Sequence, residues 1–344
     1  MKEEYTDNVF NSNTDERSDF STTLSPGLKI LFPRQKKNYK FEFLYQADIE
    51  RFSRYTSENA ENHKVNGEFD YKSPAGIEIS LSDKFTRSHD PRGVNIGEEL
   101  DFYRDNVFST SVAYSFAERF KIRFDYTNHL VDYEADRNSF RDRTDNSLSG
   151  YLYYKFLPKT SAFIEYEYLD VDFRESGDFD STENHFFGGI TWEVTGKTKG
   201  TIKAGYGTKD FKGEIKGFRG YLTEVNIDHN FTPRHSIKIM AIRRTNETNI
   251  FGSDYFVTTG LAVDYFQRLT GKITARINAS YGRDSFRGEF ARRDDTWTGG
   301  IGLIYDIRKW LITEAGYLYT NRNSTFDEFD YKNNRFFLRV TATL

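Results

Sequence analysis

The sequence has no cysteine and only two methionines among its 344 residues. Without cysteine, a disulfide framework and a thiolate metal site are excluded. No apolar run approaches the ~18 residues that a membrane-spanning helix requires. The mean hydropathy is −0.72, and the net charge of −4 gives no electrostatic reason to expect a nucleic-acid partner.

What the sequence does have is an apolar–polar alternation of period two, repeated along nearly the whole chain. A representative apolar set is Ile273, Ala275, Ile277, Ala279 and Tyr281, and the residues between them are Thr274, Arg276, Asn278 and Ser280. Successive side chains of a β-strand point to opposite faces, so each such segment has one apolar and one polar face. The pattern recurs about eighteen times, which predicts an all-β, antiparallel, up-and-down transmembrane barrel of about 18 strands in a single domain, 1–344.

Aromatic residues support the barrel over a soluble fold. They make up 17% of the chain, with 32 Phe and 23 Tyr, and outer-membrane barrels place such rings in girdles at both membrane interfaces. A soluble β-sandwich or β-solenoid also alternates, but a sandwich needs two inner faces packed on each other. The tyrosine-rich stripes are less suited to that kind of core.

Connections between the predicted strands alternate strictly in length. Short turns such as Pro33–Lys37 and Ala117–Arg119 alternate with longer polar loops such as Ser88–Asp101 and Glu134–Thr144. Outer-membrane barrels have short periplasmic turns and longer extracellular loops. The alternation therefore predicts that both termini are periplasmic, and no loop is long enough to make an obvious plug. The predicted strands begin with Glu4–Phe10 and Phe20–Phe32 and end with Leu311–Thr320 and Tyr331–Leu344.

The two chain ends bear on export and assembly. Met1 to Glu4 lead directly into a strand without a secretory signal. Since a barrel must first cross the inner membrane, we expect Met1 to be a start residue added to a mature sequence of the Gram-negative outer membrane. The last strand ends in Leu344 where bacterial barrels commonly carry an aromatic residue read by the assembly machinery. The expected partners are outer-membrane lipid, lipopolysaccharide and that machinery.

The opening of the chain carries a family resemblance. Tyr5, Asp7, Asn8 and Phe10 are followed by the segment Asp19–Gly27. Together they resemble the opening "Y-x-D-N-x-F … D-F-x-T-x-L-x-P-G" of the putative β-barrel porin 2 family. The resemblance implies an outer-membrane barrel, and for some members a link to exopolysaccharide secretion. For Asp7 and Asn8, a role at the barrel seam or rim is favoured over a functional one.

No catalytic, metal or cofactor site is predicted, and we do not expect an enzyme. The six histidines are scattered without metal-ligand spacing, and no nucleophile motif is present. Glu165 and Glu167 share a strand face and could mimic a catalytic carboxylate pair, but a polar lumen needs such residues anyway. The acidic loop Gly177–Glu183 lacks the ordered ligand spacing of a calcium loop.

The inward face carries charges of both signs, which a water-filled barrel of this width accommodates. The predicted pore-lining residues are Lys40, Glu42, Lys121, Arg123, Glu165, Glu167, Lys203, Glu224, Lys238, Arg276, Glu314 and Arg339. They predict a porin-like channel, with polysaccharide export and a periplasmic export partner as the implied context. Two alternatives stay open: the charges form salt-bridge ladders that stiffen the wall, or the barrel is a non-conducting receptor or scaffold. Inward Phe187, Phe266 and Phe337 could stack on sugar rings or fill a core.

Overall fold

The computed structural model describes residues 1–33, 38–93, 99–175, 177–248, 250 and 252–343. Its strand segments form one antiparallel sheet that closes on itself. The segments are β1 (Lys2–Thr6), β2 (Asp19–Leu24), β3 (Gly27–Phe32), β4 (Tyr39–Phe52), β5 (Ala60–Lys72), β6 (Ile77–His89), β7 (Phe102–Phe116), β8 (Phe120–Tyr133), β9 (Arg143–Leu157), β10 (Thr160–Phe173), β11 (Ser181–Thr195), β12 (Thr198–Phe211), β13 (Phe218–Thr232), β14 (His235–Glu247), β15 (Ser253–Arg268), β16 (Ile273–Gly288), β17 (Arg293–Arg308), β18 (Leu311–Ser324) and β19 (Tyr331–Ala342).

Segments β2 and β3 occupy one position in the wall, because both pair with β4. The break between them falls at Ser25 and Pro26, and proline has no N–H to give to a ladder. The carbonyl of Pro26 still accepts the backbone N–H of Ala47 at 3.0 Å. The 19 segments of the sheet therefore form an 18-strand barrel, and the predicted fold class is confirmed.

The barrel closes where β1 enters between β19 and β2. Tyr5 lies opposite Phe336 on one side and Phe20 on the other. The ladder ends at Thr6, short of the predicted Phe10, because the chain then turns.

The motif residues of the chain opening build this closure. Asp7 accepts the backbone N–H of Asn334 at 2.7 Å, and the fully buried Asn8 donates to the carbonyl of Lys332 at 2.9 Å. Asp19 accepts the N–H of Arg54 at 2.9 Å. These contacts give the opening motif a structural role. Asp7 and Asn8 tie the end of the first strand to the last strand, and Asp19 holds the loop that follows β4.

The two faces of the wall follow the sequence alternation. Ile277 lies directly opposite Ile301, and both are exposed on the outer face. Directly opposed residues share a face, so the neighbouring Asn278 faces inward. The end of the barrel that carries the longer loops is called the upper end. Short 3₁₀ helices lie in its loops, at Thr56–Glu58, Asp136–Arg141, Gly177–Phe179 and Asp327–Phe329.

Within the residues that the structure describes, no helix has the length and apolar character needed to cross a membrane.

Candidate functional site

All the predicted pore-lining residues lie on the inner face of the wall. The register shows this because Lys203 lies opposite Glu224, and Glu314 lies opposite Arg339. Apart from Lys238, each of these charges lies within 4.0 Å of a group of opposite charge. Lys40 contacts Glu42 at 3.0 Å, and the Arg339–Glu314 pair is 3.1 Å apart.

The inner-face charges fall into two groups that differ in exposure. The side chains of Lys40 and Arg339 are 46% and 49% exposed, and Lys238 is also exposed. By contrast, Glu165 is buried and receives two hydrogen bonds from Lys203, at 2.9 and 3.0 Å. The exposed group faces open lumen, whereas the buried group is part of a packed structure inside the barrel.

That packed structure is a chain of ion pairs on β10 to β14, here called the inner network. Lys203 joins Glu165 to Glu224, the latter at 3.2 Å. Arg244 bridges Glu224, at 3.0 Å, and Glu167.

Farther up the wall, the network continues through buried groups. His185 lies between Glu167 at 2.9 Å and Glu183 at 2.8 Å. Lys209, whose side chain is 0% exposed, pairs with Glu183 at 2.9 Å and with Glu247. The alternation identified Glu165 and Glu167 as inward, but it gave no indication that strands four positions apart meet inside the barrel.

The inner network holds a segment of wall that has folded inward. The ladder between β13 and β14 ends at the pair Thr223–Arg243, while β14 continues to pair with β15 as far as Glu247 and Tyr255. Above that point the β13 edge has no β14 partner. This gap is called the β13–β14 seam.

Beside the seam, the outer face of one strand lies against the inner face of another. Tyr255 and Val257 have the same alternation as Leu261, which is exposed on the outer face, yet they are buried against Phe187 and Leu222. Leu222 belongs to the inner face of β13, in alternation with Glu224. The wall therefore overlaps itself, and the folded segment narrows the lumen. It also buries Phe187, so this ring fills a core.

A loop narrows the mouth from the opposite side. Arg92 pairs with Glu58 at 2.6 Å, and its carbonyl accepts a hydrogen bond from Asn11 at 3.0 Å. Arg322 of β18 donates to the carbonyl of Gly93. The sequence left open whether loops constrict the pore, and these contacts place a short loop segment across the inner rim. Residues 94–98 of this loop lie outside the described residues.

The extracellular loops are tied by charge to each other and to strand ends, since Arg137 of the β8–β9 loop pairs with Asp101 of the β6–β7 loop at 2.8 Å. Arg87 donates two hydrogen bonds to Glu134, both at 2.7 Å. These bonds hold the pKa of the Glu134 carboxyl below its ordinary value. Burial raises the pKa of Asp142 at the other end of the same loop.

A lumenal aromatic patch was missed by the sequence reasoning. Tyr151 and Tyr153 of β9 stack with their ring centroids 5.9 Å apart. Arg123 lies over Tyr151 at 5.0 Å and Lys121 over Tyr153 at 4.9 Å. Alternation could have found this patch, because tyrosines two residues apart share a face.

Candidate metal ligands are not gathered in the part of the chain described. There, no group of three or more His, Asp or Glu side chains is placed to hold a metal ion. The predicted carboxylate pair, Glu165 and Glu167, is engaged by Lys203 and Arg244. His229 and His235 bond Thr198 and Tyr265.

Comparison with known protein families identifies the family of this chain. A sequence model for the putative beta-barrel porin 2 family matches residues 1–344. The chain belongs to this family. The resemblance of its opening motif is thereby confirmed, and this family member is an outer-membrane-type β-barrel. No curated protein matches the chain.

Among solved structures, one shows the same fold as this family member at low identity, and others are less similar. The FrpB iron transporter of Neisseria meningitidis (F5-1 variant, apoprotein) has a TM-score of 0.50 at 10% identity, covering 94% of this chain and 61% of that one. A mutant of the ferric enterobactin receptor PfeA of Pseudomonas aeruginosa has a TM-score of 0.44 at 8% identity, covering 99% and 80%. The chain thus spans less than two thirds of the FrpB structure.

Proposed function

We propose that this porin 2 family member is a channel of the bacterial outer membrane that passes polar solutes through its lumen. The observation that carries the proposal is the set of exposed charges of both signs on the inner face, such as Lys40, Lys238 and Arg339. Such charges are very costly away from water, and an 18-strand barrel is wide enough to hold a water-filled passage. Passage through a lumen needs no chemical step. That the protein is not an enzyme stays a prediction.

An exopolysaccharide is the cargo that fits the family resemblance. The Tyr151–Tyr153 patch supports it, because sugars bind to flat aromatic faces through apolar contact and to the flanking Arg123 and Lys121 through hydrogen bonds. Export would require a periplasmic partner that delivers the chain. Assembly of the barrel would use the barrel-assembly machinery.

A second candidate is a non-conducting receptor or scaffold. Two observations favour it: the inward fold beside the β13–β14 seam and the loop segment at Arg92 both narrow the mouth. In this alternative, the interlocked extracellular loops form the binding surface and the lumen stays closed.

Topology can be tested with single cysteines, since the chain has none of its own. Glu289→Cys lies in an exposed loop at the upper end, and Lys309→Cys in an exposed turn at the lower end. We expect an impermeant thiol reagent to label intact cells at position 289 but to reach position 309 only after the outer membrane is permeabilised. Labelling with the opposite pattern would reverse the orientation.

Channel function can be tested by reversing accessible lumen charges. Lys40→Glu, Lys238→Glu and Arg339→Glu together should shift ion selectivity toward cations, because each replacement changes the lumen charge by two units. The shift should be larger at low salt, since the screening length falls from about 30 Å at 0.01 M to about 3 Å at 1 M. Reversal potentials in planar bilayers give the measurement.

The matched control makes the same number of charge reversals at positions outside the lumen. Lys212→Glu, Arg234→Glu and Lys309→Glu lie in loops or turns, and we expect them to leave the reversal potential nearly unchanged. If the wild-type protein never conducts, although its mobility on a gel is heat-modifiable and it is therefore folded, the receptor or scaffold function replaces the channel.

A further inference from the structure

The β13–β14 seam opens a crevice on the outer surface of the barrel. It has a volume of about 960 Å³ and lies between the free edge of β13 and the outer faces of β15 and β16. Phe218, Tyr255 and Val257 form its floor, and all three are buried. A regular barrel wall would have no such opening, because every strand edge would be paired.

The position of the crevice along the barrel axis is indicated by two tyrosines of the aromatic girdle. Tyr206 and Tyr221 lie opposite each other on the outer face and are more than half exposed, as expected at the outer membrane interface. The guanidinium of Arg243 lies over the Tyr221 ring at 4.3 Å. The lower end of the crevice is therefore level with the lipid headgroups, and its upper end is just above them.

The charge of the crevice is mainly positive. Four cationic side chains line it, Lys216, Arg219, Arg243 and Arg287, with two carboxylates, Asp210 and Asp254. Arg219 contacts Asp210 at 3.6 Å. Within the residues described, Arg243 and Arg287 have no carboxylate partner. Nη1 of Arg243 donates to Oγ1 of Thr259 at 2.6 Å, and its Nε is buried without a hydrogen bond. An arginine fork of this kind is matched by a phosphate group.

We propose that this crevice binds the phosphorylated headgroup of a lipopolysaccharide molecule from the surrounding outer leaflet. Arg243 and Arg287 hold a phosphate of the headgroup, and the apolar floor contacts the glucosamine–acyl region beneath it. The site is independent of any transport through the lumen, because all of its cations lie on the outer face or in the adjoining loop.

The first test compares ligands on the unmodified protein. Native mass spectrometry of detergent-purified protein should show one molecule of diphosphoryl lipid A retained at least about tenfold more tightly than its dephosphorylated form. Equal retention of the two forms would overturn the proposal. Inorganic phosphate serves as a competitor: it should fail to displace the glycolipid, and efficient displacement would show a free-anion site instead of a lipid site.

The second test uses variants. R243Q/R287Q should lose the preference for the phosphorylated form, and R243K/R287K should recover part of it. The control R104Q/R283Q removes two outer-face arginines that already pair with carboxylates, Arg104 with Glu134 at 3.3 Å and Arg283 with Asp295 at 2.6 Å. We expect the control to bind as the wild type does. A loss of the same size in both double variants would show a general effect of surface charge and would overturn the crevice as the site. If R243Q/R287Q fails to fold, as judged by heat-modifiability, the ligand comparison on the wild type still decides.

Discussion

Lys209→Met is expected to destabilise the barrel by about 3–5 kcal/mol, the usual cost of removing one partner from a buried ion pair. The Lys209 ammonium is completely buried between Glu183 and Glu247. Methionine fills a similar volume, so the loss comes from leaving two carboxylates without their cation and not from a cavity. Denaturant titration of protein refolded into lipid vesicles measures the change in the free energy of unfolding.

Two further variants make the Lys209 experiment specific. Lys199→Met lies on the same strand, but its side chain is 67% exposed and its pair with Asp228 is solvated, so we expect a cost below about 1 kcal/mol. Adding Glu247→Gln to Lys209→Met should recover part of the loss, because it removes one of the stranded charges. If Lys209→Met and Lys199→Met lower the free energy of unfolding by the same amount, the result contradicts the inward fold that the inner network stabilises.

Ile277→Arg should be far more damaging than Asn278→Arg, although the two positions are adjacent. Ile277 is 52% exposed on the outer face and lies between Tyr265 and Ile301. Arginine on the lipid face near the bilayer midplane costs about 2–4 kcal/mol. Asn278 faces the lumen, where a new charge remains hydrated.

The Ile277 comparison is measured by denaturant titration in vesicles of matched thickness. Each variant serves as the control for the other, since both introduce the same side chain into the same strand. Equal destabilisation would contradict the register of β16, because a slip of one residue exchanges its two faces.

The period-two alternation was enough to predict the barrel and most of its strands. It worked because each spanning strand solves the same local problem: apolar atoms toward lipid, polar atoms toward water, and every backbone group paired with a neighbour. Strand β16 illustrates this, since the predicted stripe from Ile273 to Tyr281 lies within Ile273–Gly288. The loop-length alternation likewise predicted the up-and-down order.

The candidate site was predicted only as a list of inward residues. The sequence assigned Glu165, Lys203 and Glu224 to the inner face correctly, since their alternation is local information. It could not separate this packed group, in which Glu165 is buried and Lys203 and Glu224 are partly buried, from exposed charges such as Lys40, because both kinds occupy the same positions in the pattern. The same alternation assigns Tyr255 and Val257 to the outer face, whereas the structure makes them part of a core.

The sequence by itself determined which face each side chain takes along its strand and that the strands must close into a barrel. Only the tertiary structure decided where the wall departs from a simple cylinder: the β13–β14 ladder stops at Arg243, β14 and β15 fold inward, and Lys209 becomes buried. The physical reason is how far apart in the sequence the interacting residues lie. Alternation is set by the backbone geometry of neighbouring residues, whereas the inward fold depends on contacts between groups distant in the chain, such as Lys209 and Glu247.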